Sequence, residues 1–283
     1  MEQNTRRFDA CIFDLDGTLA NTLTSIAHFG NATLGEFGLP EIPVEQYKQL
    51  VGNGADLLMR RMLKTVGARF SEEVIQSFRT AYDRRYESDP MALVEPYPGI
   101  VELLGKLKEQ GFQVGVLSNK PDNVARDIVR TMFGPLVDQA HGQRAEFPTK
   151  PDPAAVLQMA ADFGVEPGRV LYCGDSGVDM ETGRNAGMAP CGVLWGFRER
   201  QELEEHGAQY LAATAQQLWE IGPQHKRDCR QRRGSPFFRS RVDYSPNSPT
   251  GRGMSSRGSF SQEKRGSSSS GQAGAGSGSS PPR

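Results

Sequence analysis

Phe8-Asp9-Ala10-Cys11-Ile12-Phe13-Asp14-Leu15-Asp16-Gly17-Thr18 is the stretch that decides the fold. The run Phe8–Phe13 is apolar and ends in two carboxylates two residues apart, Asp14 and Asp16. Gly17 lets the backbone turn, and Thr18 adds a hydroxyl. Packing explains such a strand end poorly, because ionised carboxylates are rarely left in a core without partners. Metal-assisted chemistry on a phosphate explains it well. One carboxylate attacks phosphorus, the other moves protons, and a cation neutralises the crowded charge. The competing explanation is a solvated turn whose acids cap the next helix.

Outward from that strand, short apolar runs alternate with helical patterns. The runs are Phe8–Phe13, Gln113–Leu117, Val137–Ala140, Val170–Cys173 and Cys191–Trp195. Helices are predicted over Ile100–Gln110, Pro121–Met132, Ala154–Phe163 and Asp179–Ala186, the last stopped by Gly187. Strands alternating with helices imply βαβ units and a parallel sheet. Ligands bind such sheets at the carboxyl ends of their strands, where Asp14, Ser118 and Asp175 all fall. From about Thr22 to Asp89 the pattern is helical only, as in Ile26/Phe29/Leu34, Leu57/Leu58/Met62/Leu63 and Val74/Ile75/Phe78/Tyr82. This insertion starts just after the acidic motif and is placed to cover it, excluding water from a reactive phosphate.

The chain has 283 residues, 37% of them hydrophobic, and a formal charge of −1. Both averages hide a division at about Gln224. The last sixty residues hold 12 Lys+Arg against 3 Asp+Glu and almost no aliphatic side chains, leaving 21 against 31 in the body. An acidic body does not suggest a nucleic-acid-binding domain. Of the four cysteines, Cys11, Cys173 and Cys191 lie in apolar runs and Cys229 lies in the tail. No pair has metal-ligand spacing, so they read as reduced thiols. The polar N-terminus, Met1–Arg7, carries no apolar signal region, and no run is long enough to span a membrane. A cytoplasmic location is expected.

Three later segments supply what the first motif lacks. Ser118-Asn119-Lys120 follows a strand, and its hydroxyl and amide can bond phosphate oxygens; a plain Ser/Asn turn is the alternative. Lys150-Pro151 precedes a helix, and an ammonium there suits both a phosphate and the attacking carboxylate; otherwise it is a surface lysine. Gly174-Asp175-Ser176, with Asp179 four residues after Asp175, offers one or two carboxylates that would hold Mg²⁺ together with Asp14. Asp179 also suits the first turn of a helix, and the two roles are compatible. His28, His141, His206 and His225 form no ligand pair, and Trp195 and Trp219 read as packing.

In their order, spacing and shared strand-end placement, these motifs resemble those of the haloacid dehalogenase-like superfamily of phosphotransferases. The matching elements are Asp14-x-Asp16-x-Thr18, Ser118, Lys150 and Gly174-Asp175-x-x-x-Asp179, and the resemblance covers about Phe8 to Ile221. It implies an α/β fold: a Rossmann-like parallel-sheet core over residues 1–20 and 95–223, with an inserted all-helical cap over 21–94. It further implies Mg²⁺ held by Asp14, the backbone carbonyl of Asp16, and Asp175, with Asp179 supporting or joining them. Asp14 would be the nucleophile, Asp16 the general acid and then base, and Lys150 the third catalytic group, with Thr18, Ser118 and Asn119 on the phosphate. Dehalogenases themselves lack the second acid, because a halide leaves without a proton, so Asp16 favours phosphate esters.

The cap segment Val51-Gly52-Asn53-Gly54-Ala55-Asp56-Leu57-Leu58 is similar to that of bacterial phosphoglycolate phosphatases. Its glycines allow close approach to a small ligand, and Asn53 would bond a carboxylate or hydroxyl, or else cap the next helix. Lys150–Pro153 and Gly183–Met188 are also similar. Asn21 departs from a position that is often acidic in relatives. The resemblance implies a small phosphorylated metabolite as partner, with 2-phosphoglycolate the first choice. Another sugar phosphatase or a β-phosphoglucomutase keeps the same chemistry, whereas a phosphonatase would need a cap lysine with a supporting motif. The tail, 224–283, is low in complexity and expected to be disordered. Its four Arg-Gly steps lie among Phe237, Phe238, Tyr244 and Phe260. The different-class alternative is therefore a binding protein whose tail engages RNA or another polyanion.

Overall fold

The computed structural model describes residues 6–67 and 70–222. The tail expected to be disordered, its RNA-binding reading and Cys229 lie outside the described residues. A six-stranded sheet runs through the body in the order β5-β4-β1-β6-β7-β8, every neighbouring pair parallel. The strands are β1 (Ala10–Phe13), β4 (Gln113–Pro121), β5 (Gln139–Gln143), β6 (Val170–Gly174), β7 (Ala189–Val193) and β8 (Tyr210–Ala212). Strand β1 sits in the middle, with β4 on one side and β6 on the other. The chain reverses its winding there, which opens a crevice at the carboxyl ends.

Alternate residues of β1 serve opposite faces of the sheet. Cys11 and Phe13 join one buried cluster with Leu104, Val116 and Ile128, whereas Ala10 and Ile12 join a second with Val156, Met159 and Tyr172. The helices that cover these faces are α5 (Ile100–Glu109), α6 (Asp122–Phe133), α7 (Ala154–Asp162), α8 (Gly177–Asn185), α9 (Arg200–Glu205) and α10 (Ala215–Ile221). Burial on both faces explains why the strands read as continuous apolar runs.

Four helices are inserted beyond β1: α1 (Leu23–Glu36), α2 (Tyr47–Leu50), α3 (Ala55–Thr65) and α4 (Glu72–Ser88). They pack on one another around Leu34, Tyr47, Met59, Met62 and Phe78, all fully buried. The insertion leaves and rejoins the body through a two-stranded antiparallel ribbon, β2 (Ala20–Asn21) against β3 (Glu95–Pro96). Asn21 is exposed there, paired in register with Glu95. The fold is thus α/β, with a parallel-sheet core and an inserted all-helical cap.

Several elements differ from expectation. The edge strand β5 lies at Gln139–Gln143 instead of Val137–Ala140. An edge strand covered on only one side needs less apolar sequence. The ribbon β2/β3, strand β8 and helices α9 and α10 are short and carry too little periodicity to be read. Leu57, expected on the buried face of α3, is 44% exposed. Among the described residues, no helix is long and apolar enough to cross a membrane.

Candidate active site

The end of β1 delivers Asp14 into the crevice, where its side chain is almost entirely buried. Gly17 makes the next turn possible in two ways. Its φ of 81° is left-handed, and a Cβ there would stand 2.1 Å from Asp175 Oδ2. Only glycine lets the first motif close on the carboxylate that follows β6. Gly174 does the same for Asp179, which a Cβ would meet at 2.2 Å.

Lys150 is the hub of the site. Its Nζ donates to Asp14 Oδ1 at 2.7 Å and to Asp179 Oδ1 at 2.8 Å, all three side chains being buried. Burial works against the ammonium, but the two carboxylates outweigh it and hold Lys150 well above the ordinary lysine range. Burial pushes the Asp14 carboxyl up to about 7, against the pull of Lys150, with the charges of Asp179 and Asp16 adding to the rise. Asp175 is raised well above a normal carboxylate by burial and by the charges of Asp179 and Asp14, although Phe197 N donates to its Oδ2 at 2.7 Å.

Asp179 fills both of its expected roles. Its Oδ2 accepts from Ser176 N at 3.2 Å and from Ser176 Oγ at 2.6 Å, closing a capping box at the start of α8. Its Oδ1 faces Lys150. Helix α8 therefore begins at Gly177, two residues before the predicted start, and Asp179 is its third residue.

Asp14, Asp175 and Asp179 each offer a carboxylate oxygen, all within 4.8 Å of one another. Three hard oxygen donors, crowded and buried enough to raise two of their own pKa values, suit a divalent cation. The Asp16 carboxylate is outside this cluster. Its Oδ1 accepts from Thr22 Oγ1 at 2.6 Å and stands 3.1 Å from Lys120 Nζ.

The expected phosphate and substrate groups divide. Ser118 is buried on the pocket wall, and its Oγ accepts from Lys120 N at 3.2 Å. Asn119 also lines the pocket, but its amide is engaged with backbone. Its Oδ1 accepts from Lys150 N at 2.9 Å, and its Nδ2 donates to the carbonyls of Lys150 and Gly52, each at 3.3 Å. It fixes Lys150 and ties core to cap. Thr18 Oγ1 is buried with no hydrogen-bond partner and is not on the pocket wall. Its carbonyl accepts from Trp195 Nε1 at 3.0 Å, so Trp195 does more than pack. Asn53 is not on the wall either. Its Oδ1 accepts from Arg61 at 2.8 Å, and Gly54, not Asn53, caps α3. Gly52 and Gly54 line the pocket in its place.

Sequence reasoning missed Lys120, Tyr86 and Arg198, all of which line the pocket. Arg198, after β7, reaches into the cap and donates to the carbonyls of Lys48 and Val51, the latter at 2.9 Å. These carbonyls sit at the end of α2, where helical partners run out. No local signal marks such a residue, because its partners lie about 150 positions away in the chain.

A parallel α/β sheet whose switch-point crevice is walled by carboxylates and roofed by helices is the build of a capped hydrolase. The chain belongs to the haloacid dehalogenase-like hydrolases, whose family model matches residues 11–193. It is 32% identical to a phosphoglycolate phosphatase of Haemophilus influenzae, over 74% of this chain and 96% of that one. It is 29% identical to an N-acetylmuramic acid 6-phosphate phosphatase of Pseudomonas aeruginosa, over 79% and 98% respectively. The crystal structure of a predicted phosphoglycolate phosphatase from Haemophilus somnus superposes with a TM-score of 0.71 at 27% identity, covering 76% of this chain and 98% of that one. The protein is a phosphatase, a phosphoric monoester hydrolase of phosphoglycolate phosphatase-like type.

Proposed function

We propose that the protein hydrolyses 2-phosphoglycolate to glycolate and phosphate through an aspartyl-phosphate on Asp14. The observation that carries this reading is the Lys150 bridge. It holds Asp14 in a buried cluster of acids at the crevice floor, while Asp16 stands apart with its own partners. Two carboxylates in separate surroundings suit two different tasks. Asp14 attacks phosphorus, and the P–O bond to the leaving alcohol breaks. Asp16 delivers a proton to that oxygen, then takes one from the water that cleaves the aspartyl-phosphate. Ser118 and Lys150 hold the phosphoryl oxygens, and backbone N–H groups around Leu15–Gly17 add to the cradle.

Asp14, Asp175, Asp179 and the backbone carbonyl of Asp16 would hold Mg²⁺. When bound, it offsets the repulsion between the carboxylates and the incoming phosphate. The core is assigned to 1–20 and 95–223 and the cap to 21–94, the cap excluding water from the crevice. We also place the enzyme in the cytoplasm, in keeping with the buried free thiols of Cys11, Cys173 and Cys191.

The substrate reading is supported by the kinship with phosphoglycolate phosphatases together with a pocket that the cap helps to line. The test is a panel of phosphorylated metabolites assayed with and without Mg²⁺. Two-phosphoglycolate is expected to give the highest kcat/KM, and only with the metal. A higher value for N-acetylmuramic acid 6-phosphate or a sugar phosphate would replace the substrate while leaving the chemistry. Conversion of β-glucose 1-phosphate to the 6-phosphate would make the enzyme a mutase.

A further inference from the structure

Lys120 is a buried ammonium that the steps above do not use. It follows Ser118 and Asn119 at the end of β4, and its side chain is 3% exposed. Its Nζ stands 3.1 Å from Asp16 Oδ1 and donates to Tyr86 OH at 2.6 Å, with the centre of the Tyr86 ring 4.4 Å away. Lys120 lies on β4 of the core and Tyr86 on α4 of the cap, so the contact ties the two together. Asp16 and Tyr86 take two of its three N–H groups, which leaves one for a molecule in the pocket.

The other cations at the pocket are differently committed. Lys150 is bridged between Asp14 and Asp179. Arg198 is spent on the Lys48 and Val51 carbonyls. Position adds to the argument. Asp16 is the group that faces the leaving oxygen, so a charge beside Asp16 faces the leaving alcohol and not the transferred phosphoryl group. A buried ammonium there, with a cap hydroxyl next to it, matches an anionic oxygen a few bonds from the ester oxygen, as in a carboxylate on the next carbon.

We propose that Lys120, supported by Tyr86, selects phosphate esters whose leaving alcohol carries a carboxylate. The inference rests on the phosphatase reading above and deepens it. A substrate carboxylate accepts the remaining N–H. An ester with a neutral alcohol offers that N–H an uncharged acceptor at best, so the charge-assisted bond in the buried site is lost.

The experiment compares 2-phosphoglycolate with 2-hydroxyethyl phosphate, which keeps two carbons and the ester but replaces the carboxylate with a hydroxymethyl group. The ratio of their kcat/KM values is measured for wild type and for Lys120→Met, both saturated with Mg²⁺. We expect the ratio to fall by about tenfold or more in the variant. A smaller fall overturns the inference, because a lysine that only orients Asp16 would move both substrates equally. If Lys120→Met does not fold, Lys120→Gln, which is one atom shorter and removes the positive charge while staying polar, is read by the same ratio, with the same fall expected. A wild type that does not prefer the carboxylated ester is a different result. It sinks the substrate reading itself before the variant is made.

Discussion

Lys150 Nζ lies 2.7 Å from Asp14 Oδ1, with Asp179 Oδ1 on its other side at 2.8 Å. One buried cation thus serves two buried carboxylates, and a third, Asp175, stands close by. Removing one member of such a cluster exposes the others to uncompensated charge. Lys150→Met is expected to lose about a hundred- to a thousandfold in kcat. It is also expected to cost about 3–5 kcal/mol of stability. Steady-state kinetics and a urea unfolding curve check the two effects separately.

Asp16 serves both half-reactions in the proposed chemistry, so its loss should show in each. Asp16→Asn is expected to lower kcat on 2-phosphoglycolate by about 10²–10⁴-fold. The loss in leaving-group expulsion should be smaller for p-nitrophenyl phosphate, whose leaving group needs no proton. With that substrate the variant should release a burst of p-nitrophenolate and accumulate phosphoenzyme, read by intact mass. An equal loss on both substrates, with no burst, would remove Asp16 from the role of acid.

Arg198 joins the core loop after β7 to the end of α2 in the cap. Its loss frees two carbonyls, loosens the lid and removes a positive charge that lowers the Asp175 pKa. Arg198→Ala is expected to lower kcat/KM about tenfold, since small misplacements of a closing element cost rate. Faster proteolysis of the helical insertion should accompany it. Unchanged kinetics would show that the cap closes without this contact.

Asp9 gives the clearest pH signature outside the site. Its carboxylate accepts from Arg169, with a 2.7 Å bond at Oδ1, and from Arg6 at 2.9 Å. The Arg169 bond above all, opposed by partial burial and helped by Arg6, lowers its pKa from 3.8 to about 2. A carboxylate whose folded pKa is depressed adds stability above its unfolded pKa and loses it as pH falls through the folded one. The contribution should be complete above about pH 5 and gone near pH 1–2. Allowing for solvent screening at this partly exposed site, Asp9→Asn should cost about 1–2 kcal/mol at neutral pH. The difference from wild type should vanish in acid, as read from unfolding curves across that range.

How much of this was legible in the sequence depended on the range of the interaction. Asp14 and Asp175 were legible because a strand end is a local event: an apolar run stops and a polar group follows. Ser118 was legible as the first polar residue after the apolar run, although β4 continues to Pro121. The β1 motif and Gly174-Asp175 carry their own turn chemistry, down to the glycines that let the carboxylates meet. Lys120 was not legible. Directly after Ser-Asn it reads as part of a turn, and its meaning comes from Tyr86, 34 residues away on another element. Asn53 misled in the opposite direction. A Gly-Asn-Gly loop reads as a ligand loop, but Arg61, eight residues on, takes the side chain. The edge strand β5 was displaced because its burial is incomplete, so apolar content marks it poorly.

The central claim is that Asp14 takes the phosphoryl group covalently. Rapid quenching of the Mg²⁺-loaded enzyme with radiolabelled substrate, followed by peptide mapping, tests it most directly. Label on the peptide that contains Asp14 in wild type, none in Asp14→Asn, and loss of turnover in that folded variant are the predicted results. Hydrolysis by Asp14→Asn at the wild-type rate, with no labelled peptide at any time point, would contradict it.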